Sequence, residues 1–150
     1  MADSIQNHSA PIFVGEFCHA IDGKHRLTVP ADWRFDEEVE LILIPTSNKH
    51  CVKAMPRAEI DRIRTEATKV SQSHRAALLQ RIGNLGRRVM LDKSGRLTIP
   101  DIFCQQFQLT GNVTLSGAIE TFEIWNTEAF EATRVRNKTV SDEIAAEFGL

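Results

Sequence analysis

Apolar and polar side chains alternate through EFCHAID (residues 16–22) and again through RLTV (26–29). That is the period of a strand half-buried on one face. In the first stretch Phe17, His19 and Ile21 share a side; in the second Leu27 and Val29 oppose Arg26 and Thr28. Between them DGKH (22–25) supplies Asp and Gly, which favour a tight turn. The pattern predicts a β-hairpin with a core face and a wet face. Pro30 ends the second strand, and ADWRF gives a short helical turn with Trp33 as a core anchor. VELILIP, a continuous apolar run, is a buried strand; CVKAM is its partner, with PTSNKH as the loop. From Pro56 the period lengthens. Ile60, Ile63, Ala67 and Val70 recur at three- and four-residue steps, and proline costs nothing near a first helical position. Ser71 stands where it would cap a second helix, HRAALLQRIG, in which Ala77, Leu78 and Ile82 are apolar and Gly83 is the expected stop. Such a stripe either packs on its own domain or supplies a subunit interface.

The same order then returns. RRVMLD reads as a strand, DKSG as a turn and RLTIP as the return strand, with Arg96 and Thr98 opposite Leu97 and Ile99. IFCQQF is a short helix, NVTLSG and TFEIW are paired strands, and NTEAFEATRV opens a closing helix. DGKHRLTVP (22–30) and DKSGRLTIP (92–100) lie 70 residues apart, and so do Ile60 and Phe130. Self-similarity at a fixed spacing sets the architecture ahead of any local detail. The chain is therefore expected to be α+β, a β-β-α-β-β-α unit written twice around a helical insert. The expected divisions are a disordered leader (1–12), a first copy (13–60), a helical connector (61–84), a second copy (85–134) and a C-terminal helix or tail (135–150). A lone hairpin cannot bury its apolar face. Leu27, Val29, Leu97 and Ile99 are thus expected to fill a core shared by both copies about a pseudo-two-fold axis.

At 150 residues the chain suits one ordinary domain or two very small ones. It has no apolar run of the ~18 residues a membrane span needs. MADSIQNHSAP lacks the basic start and apolar core of a signal peptide. Cys18, Cys51 and Cys104 are an odd, widely spaced set, which suits a reducing cytoplasm and no disulfide framework. The net charge is −2, yet ten Lys and Arg face four acids between Arg57 and Arg96. In the helices that excess reads equally well as a solvated surface; the stretch from Arg87 to Arg96 belongs to the repeat. Cys18-His19 and His50-Cys51 are adjacent pairs. Structural zinc sites separate their ligands, and neighbours on a strand point to opposite faces. No Ser/His/Asp set or phosphate-binding loop is present. Neither a metal, a cofactor nor an enzyme is predicted.

The repeated Arg26 and Arg96 sit one residue past each turn, on the wet face. A guanidinium keeps its charge and presents a planar fork of donors, suited to phosphate and to the O6/N7 edge of guanine. Two-stranded ribbons fit the DNA major groove. Lys24 and Lys93, in the turns, would add contacts to phosphate that set register. The plainer reading is that each Arg pairs with Asp22 or Asp92 to hold its turn. The two readings are compatible, the Asp orienting the Arg.

The doubled Asp-x-x-Gly-Arg-Leu-x-Ile-Pro pattern, with helices between, resembles the MraZ family of bacterial transcriptional regulators, relatives of AbrB-type swapped-hairpin DNA-binding domains. FVGEF (13–17) and FEIWNTEAF (122–130) are similar to that family's opening and closing stretches, so the resemblance runs from Phe13 to about Arg134. It implies a tandem swapped-hairpin β-barrel and a cytoplasmic, nucleoid-associated, ring-like homo-oligomer. It also implies binding to direct repeats in the promoter of the division and cell-wall gene cluster that includes the regulator's own gene. The DNA-contacting residues it implies are Lys24, Arg26, Lys93 and Arg96. His25 departs from the pattern, standing where Gly95 stands in the second copy. If that position needs a positive φ, His is strained there, though it is among the more tolerant residues. His25 is accordingly a fifth candidate contact. A second reading is an AbrB-type antitoxin-like module whose acidic tail, SDEIAAEFGL, meets a protein partner. A third is a purely structural oligomer that binds no DNA.

Overall fold

The computed structural model describes residues 10–36, 38–48 and 50–150; most of the leader read at 1–12 lies outside them. Within these residues the chain is α+β. Eight strands are β1 (Glu16–Ala20), β2 (Arg26–Thr28), β3 (Glu40–Pro45), β4 (Val52–Met55), β5 (Arg87–Met90), β6 (Arg96–Thr98), β7 (Asn112–Gly117) and β8 (Phe122–Asn126). Four α-helices are α1 (Arg57–Glu66), α2 (Gln72–Leu85), α3 (Asp101–Gln106) and α4 (Thr127–Glu147). ADWRF forms the expected helical turn, a 3-10 helix over Ala31–Trp33.

The pairing of strands differs from the hairpin expected of each copy. Both turns form: the Asp22 and Asp92 amides donate to the Arg26 and Arg96 carbonyls at 3.1 and 2.9 Å. The strands on either side of each turn then part. β1 pairs with β7 of the other copy and β5 with β3, giving an antiparallel sheet of order β1-β7-β8-β4-β3-β5. β2 pairs only with β6, its counterpart, in a separate two-stranded sheet. The reason is one of partners. A short hairpin standing alone is marginal, whereas the exchange gives β1 five registered pairs inside a six-stranded sheet. The six-stranded sheet ends at β1 and β5, which do not pair, so no closed barrel is found among the described residues.

The symmetry is nonetheless tight. Leu27 pairs with Leu97 at the centre of β2–β6, and Lys53 with Glu123 at the centre of β4–β8; both pairs are 70 residues apart. The shared core is as expected: Leu27, Val29, Leu97 and Ile99 are all buried in one cluster that also takes Phe13, Leu43, Leu115 and Ile124. Trp33 anchors it, 5.7 Å from the Phe13 ring and 4.8 Å from Phe122, and donates its Nε1–H to the Val14 carbonyl.

Helices α1, α2 and α4 lie outside this core, whereas α3 contributes Phe103 and Cys104 to it. Ser71 caps α2 by accepting from the His74 amide. Gly83 does not stop the helix, which runs on to Leu85, with the Gly86 amide donating to the Ile82 carbonyl. A single glycine inside a helix costs only about 1 kcal/mol, so a stop there depends on a conformation Gly83 does not adopt. Asn126 caps α4, whose Phe130 packs on Trp125 at 5.6 Å. No helix among the described residues is long and apolar enough to cross a membrane.

Candidate nucleic-acid interface

Residues opposite each other in a ladder share a face. In β2–β6 Arg26 lies opposite Thr98 and Thr28 opposite Arg96. All four therefore look away from the buried Leu27–Leu97 pair, on a single surface. The sequence suggested two ribbon tips; the exchange instead brings both arginines onto one short strand pair, roughly 7 Å apart along the strand direction.

Each arginine is held in the same way. Asp22 Oδ1 accepts from the Lys24 and Arg26 amides at 2.9 and 2.8 Å, and Asp22 Oδ2 accepts from Arg26 Nε at 2.7 Å. Asp92 accepts from the Ser94 and Arg96 amides at 2.8 and 2.9 Å and from Arg96 Nε at 3.0 Å. The Arg26 amide above all, then the Arg26 side chain and the Lys24 amide, hold the Asp22 carboxyl down at about 2. The Asp92 carboxyl is lowered too, chiefly by the Arg96 amide. The plainer reading of the arginines is thus correct, but incomplete. Only Nε is consumed; the Nη groups of Arg26 and Arg96 make no hydrogen bond among the described residues. The guanidiniums are oriented from behind and offer two planar donor groups to any acceptor arriving from solvent.

Lys24 and Lys93 are exposed in the turns but are not counterparts: Lys24 matches Ser94, and Lys93 matches Gly23. His25 and Gly95 are counterparts, and both have positive φ, 61° and 78°. The turn does require that conformation, and His25 adopts it. Its Nδ1 lies 2.6 Å from Asp101 Oδ1. Two residues went unnoticed in the sequence. Asp101 meets His25 from 76 positions away, and Arg34 lies over Gly95. No periodicity or motif marks either, because each contact crosses between copies.

Fold and site together define a duplicated, strand-exchanged α+β protein that presents two braced arginines on a paired-strand surface. The family model described as "MraZ protein, putative antitoxin-like" matches residues 87–147, the second copy with α4. The chain is 31% identical over 140 residues to the transcriptional regulator MraZ of Caulobacter vibrioides, covering 88% of each chain. It is 32% identical over 127 residues to that of Syntrophobacter fumaroxidans, covering 81% of this chain and 84% of the other. With the Oenococcus oeni protein of the same name it shares 29% over 138 residues, 91% and 96% of the two chains. The chain belongs to the MraZ family of transcriptional regulators.

Proposed function

We propose that the chain is a sequence-specific DNA-binding regulator, a repressor, which docks the β2–β6 surface against promoter DNA. The observation that carries this is the bracing of Arg26 and Arg96 on one face with their Nη groups open. Arg26 and Arg96 read base edges; Lys24 and Lys93 neutralise phosphates; His25 lies at the margin of the contact. Family membership supports direct repeats in the promoter of the division and cell-wall cluster, the chain's own gene included, as the operator. It supports the cytoplasmic nucleoid as the place of action. A ring-like homo-oligomer fits the exposed Val70, Leu78, Leu85 and Met90 around α2 and the β5 edge. Repeated operator sites one helical turn apart would then be held by avidity.

The test is a titration of the promoter upstream of the chain's own gene and of a scrambled duplex, at several salt concentrations, with the oligomer's mass read by light scattering. Preference for the promoter that falls steeply with salt and is lost in an Arg26→Ala/Arg96→Ala double variant is the expected result. Arg96→Ala should cost more than Lys93→Ala and relax sequence preference, while the lysine change weakens all sequences alike and flattens the salt dependence. Equal small effects would remove the assignment.

A protein-binding, antitoxin-like role is the second reading. It is favoured by exposed Val140, Ile144 and Phe148 beside Asp142, Glu143 and Glu147 at the end of α4. A well-folded oligomer with no preference for the promoter would point there.

A further inference from the structure

The two turns that flank the strand pair are unequal, and residues outside the repeated motif make them so. We propose that the turn of the second copy is the stronger anion-binding end, with Arg34 as an additional phosphate contact beside Arg96, while Asp101 weakens the turn of the first copy. This rests on the nucleic-acid reading above.

Positions 34 and 104 are counterparts at the 70-residue spacing. Arg34 is exposed and reaches from the first copy over the second copy's turn. A Cβ placed on Gly95 would lie 2.2 Å from Arg34 Cζ and 2.3 Å from its Nε. The guanidinium therefore fills the space that any side chain at 95 would need. Its Nε and Nη2 donate to the Val29 carbonyl at 3.0 and 2.8 Å. Nη1 makes no hydrogen bond, and Arg34 has no ion-pair partner, among the described residues. At this end Arg96 pairs with Asp92, Lys93 stands in the same turn and Arg34 lies over its Gly95, while Asp32 lines the same shallow pocket as Arg34.

The first turn is built otherwise. Cys104 takes the place of Arg34; it is buried, and its thiol lies 3.9 Å from the Ile99 carbonyl, the counterpart of Val29. Burial raises that thiol to about 11, so it carries no charge at neutral pH. With no guanidinium over the turn, a side chain fits, and His25 is there. It faces Asp101, whose counterpart in the first copy is the uncharged Ala31. At this end Arg26 pairs with Asp22, and the 82% exposed Asp101 stands beside His25 as a second carboxylate, joined to the turn through that histidine. Phosphate attraction follows the local balance of charge, which is the more positive at the second turn.

Arg34→Gln keeps an N–H donor for the Val29 carbonyl and removes the charge. With a mixed-sequence DNA duplex as probe, its plot of log affinity against log salt should be shallower than wild type by about 0.9, one phosphate contact, with the melting temperature unchanged. Asp101→Asn, at an exposed position, should tighten binding several-fold at low salt. An unchanged slope in Arg34→Gln, with or without a lower melting temperature, would assign Arg34 to the fold alone and overturn the proposal. So would Asp101→Asn binding no tighter than wild type. A wild-type chain that shows no salt-dependent binding to any duplex would instead overturn the nucleic-acid reading itself.

Discussion

Arg26 and Arg96 each face two ways. Nε is tied to an aspartate that also gathers two backbone amides, so one carboxylate fixes both the turn and the arginine's direction. The Asp22 carboxyl, held at about 2, titrates well below the ordinary value near 3.9. A depressed carboxyl stabilises the fold fully above its unfolded value and loses that contribution as pH falls towards its folded value. The turn should therefore hold down to about pH 4 and loosen between there and about pH 2. Carbon NMR of the Asp22 carboxyl should give a midpoint near 2, and Asp22→Asn should abolish the transition and release the Arg26 Nε–H. A midpoint near 4 would mean that the Arg26 and Lys24 amides do not hold the carboxylate in solution.

Strand pairing operates at the next scale, where the short β2 and β6 survive only because their inner faces are sealed. Leu27 and Leu97 are fully buried and directly opposed. Leu97→Ala should cost about 2–5 kcal/mol by denaturant unfolding. The cost of Leu27→Ala should not add to it, since the two side chains share one site. A loss below about 1 kcal/mol would show that the pair is not the keystone of the ladder. The strands, the short helices and the Ser71 cap were all legible in the sequence, because alternation, proline and capping residues act within a few positions. The partner of each strand was not. EFCHA and RLTV look like the two arms of one hairpin, and their turn does close. Which edge each arm then finds depends on residues some 70 to 100 positions away.

For the whole molecule, the exchange makes the copies interdependent. β1 needs β7, β5 needs β3, and β2 needs β6. Fragments 1–70 and 71–150, made separately, should each fail to fold as a monomer, and mixing them should restore the native spectrum in a one-to-one complex. Circular dichroism and light scattering read both outcomes. A folded monomer from either fragment would mean that a copy can satisfy its own strands. The unequal turns are also a property of the whole: Arg34 and Asp101 each act on the other copy's turn.

The sequence by itself determined the repeat, its elements, the α+β class, the buried Leu-x-Val and Leu-x-Ile faces and the candidate Arg26 and Arg96. Each is written in local spacing or in identity between two copies. It also flagged His25 as the odd residue in its turn, because steric limits on φ are local. Only the tertiary structure decided that the hairpins open, that both arginines share one face, and that Asp22 and Asp92 leave their Nη groups to solvent. The same holds for Arg34 over Gly95 and Asp101 beside His25. Those contacts join residues far apart in the chain, and their geometry follows from how two copies pack about an axis that no single stretch encodes.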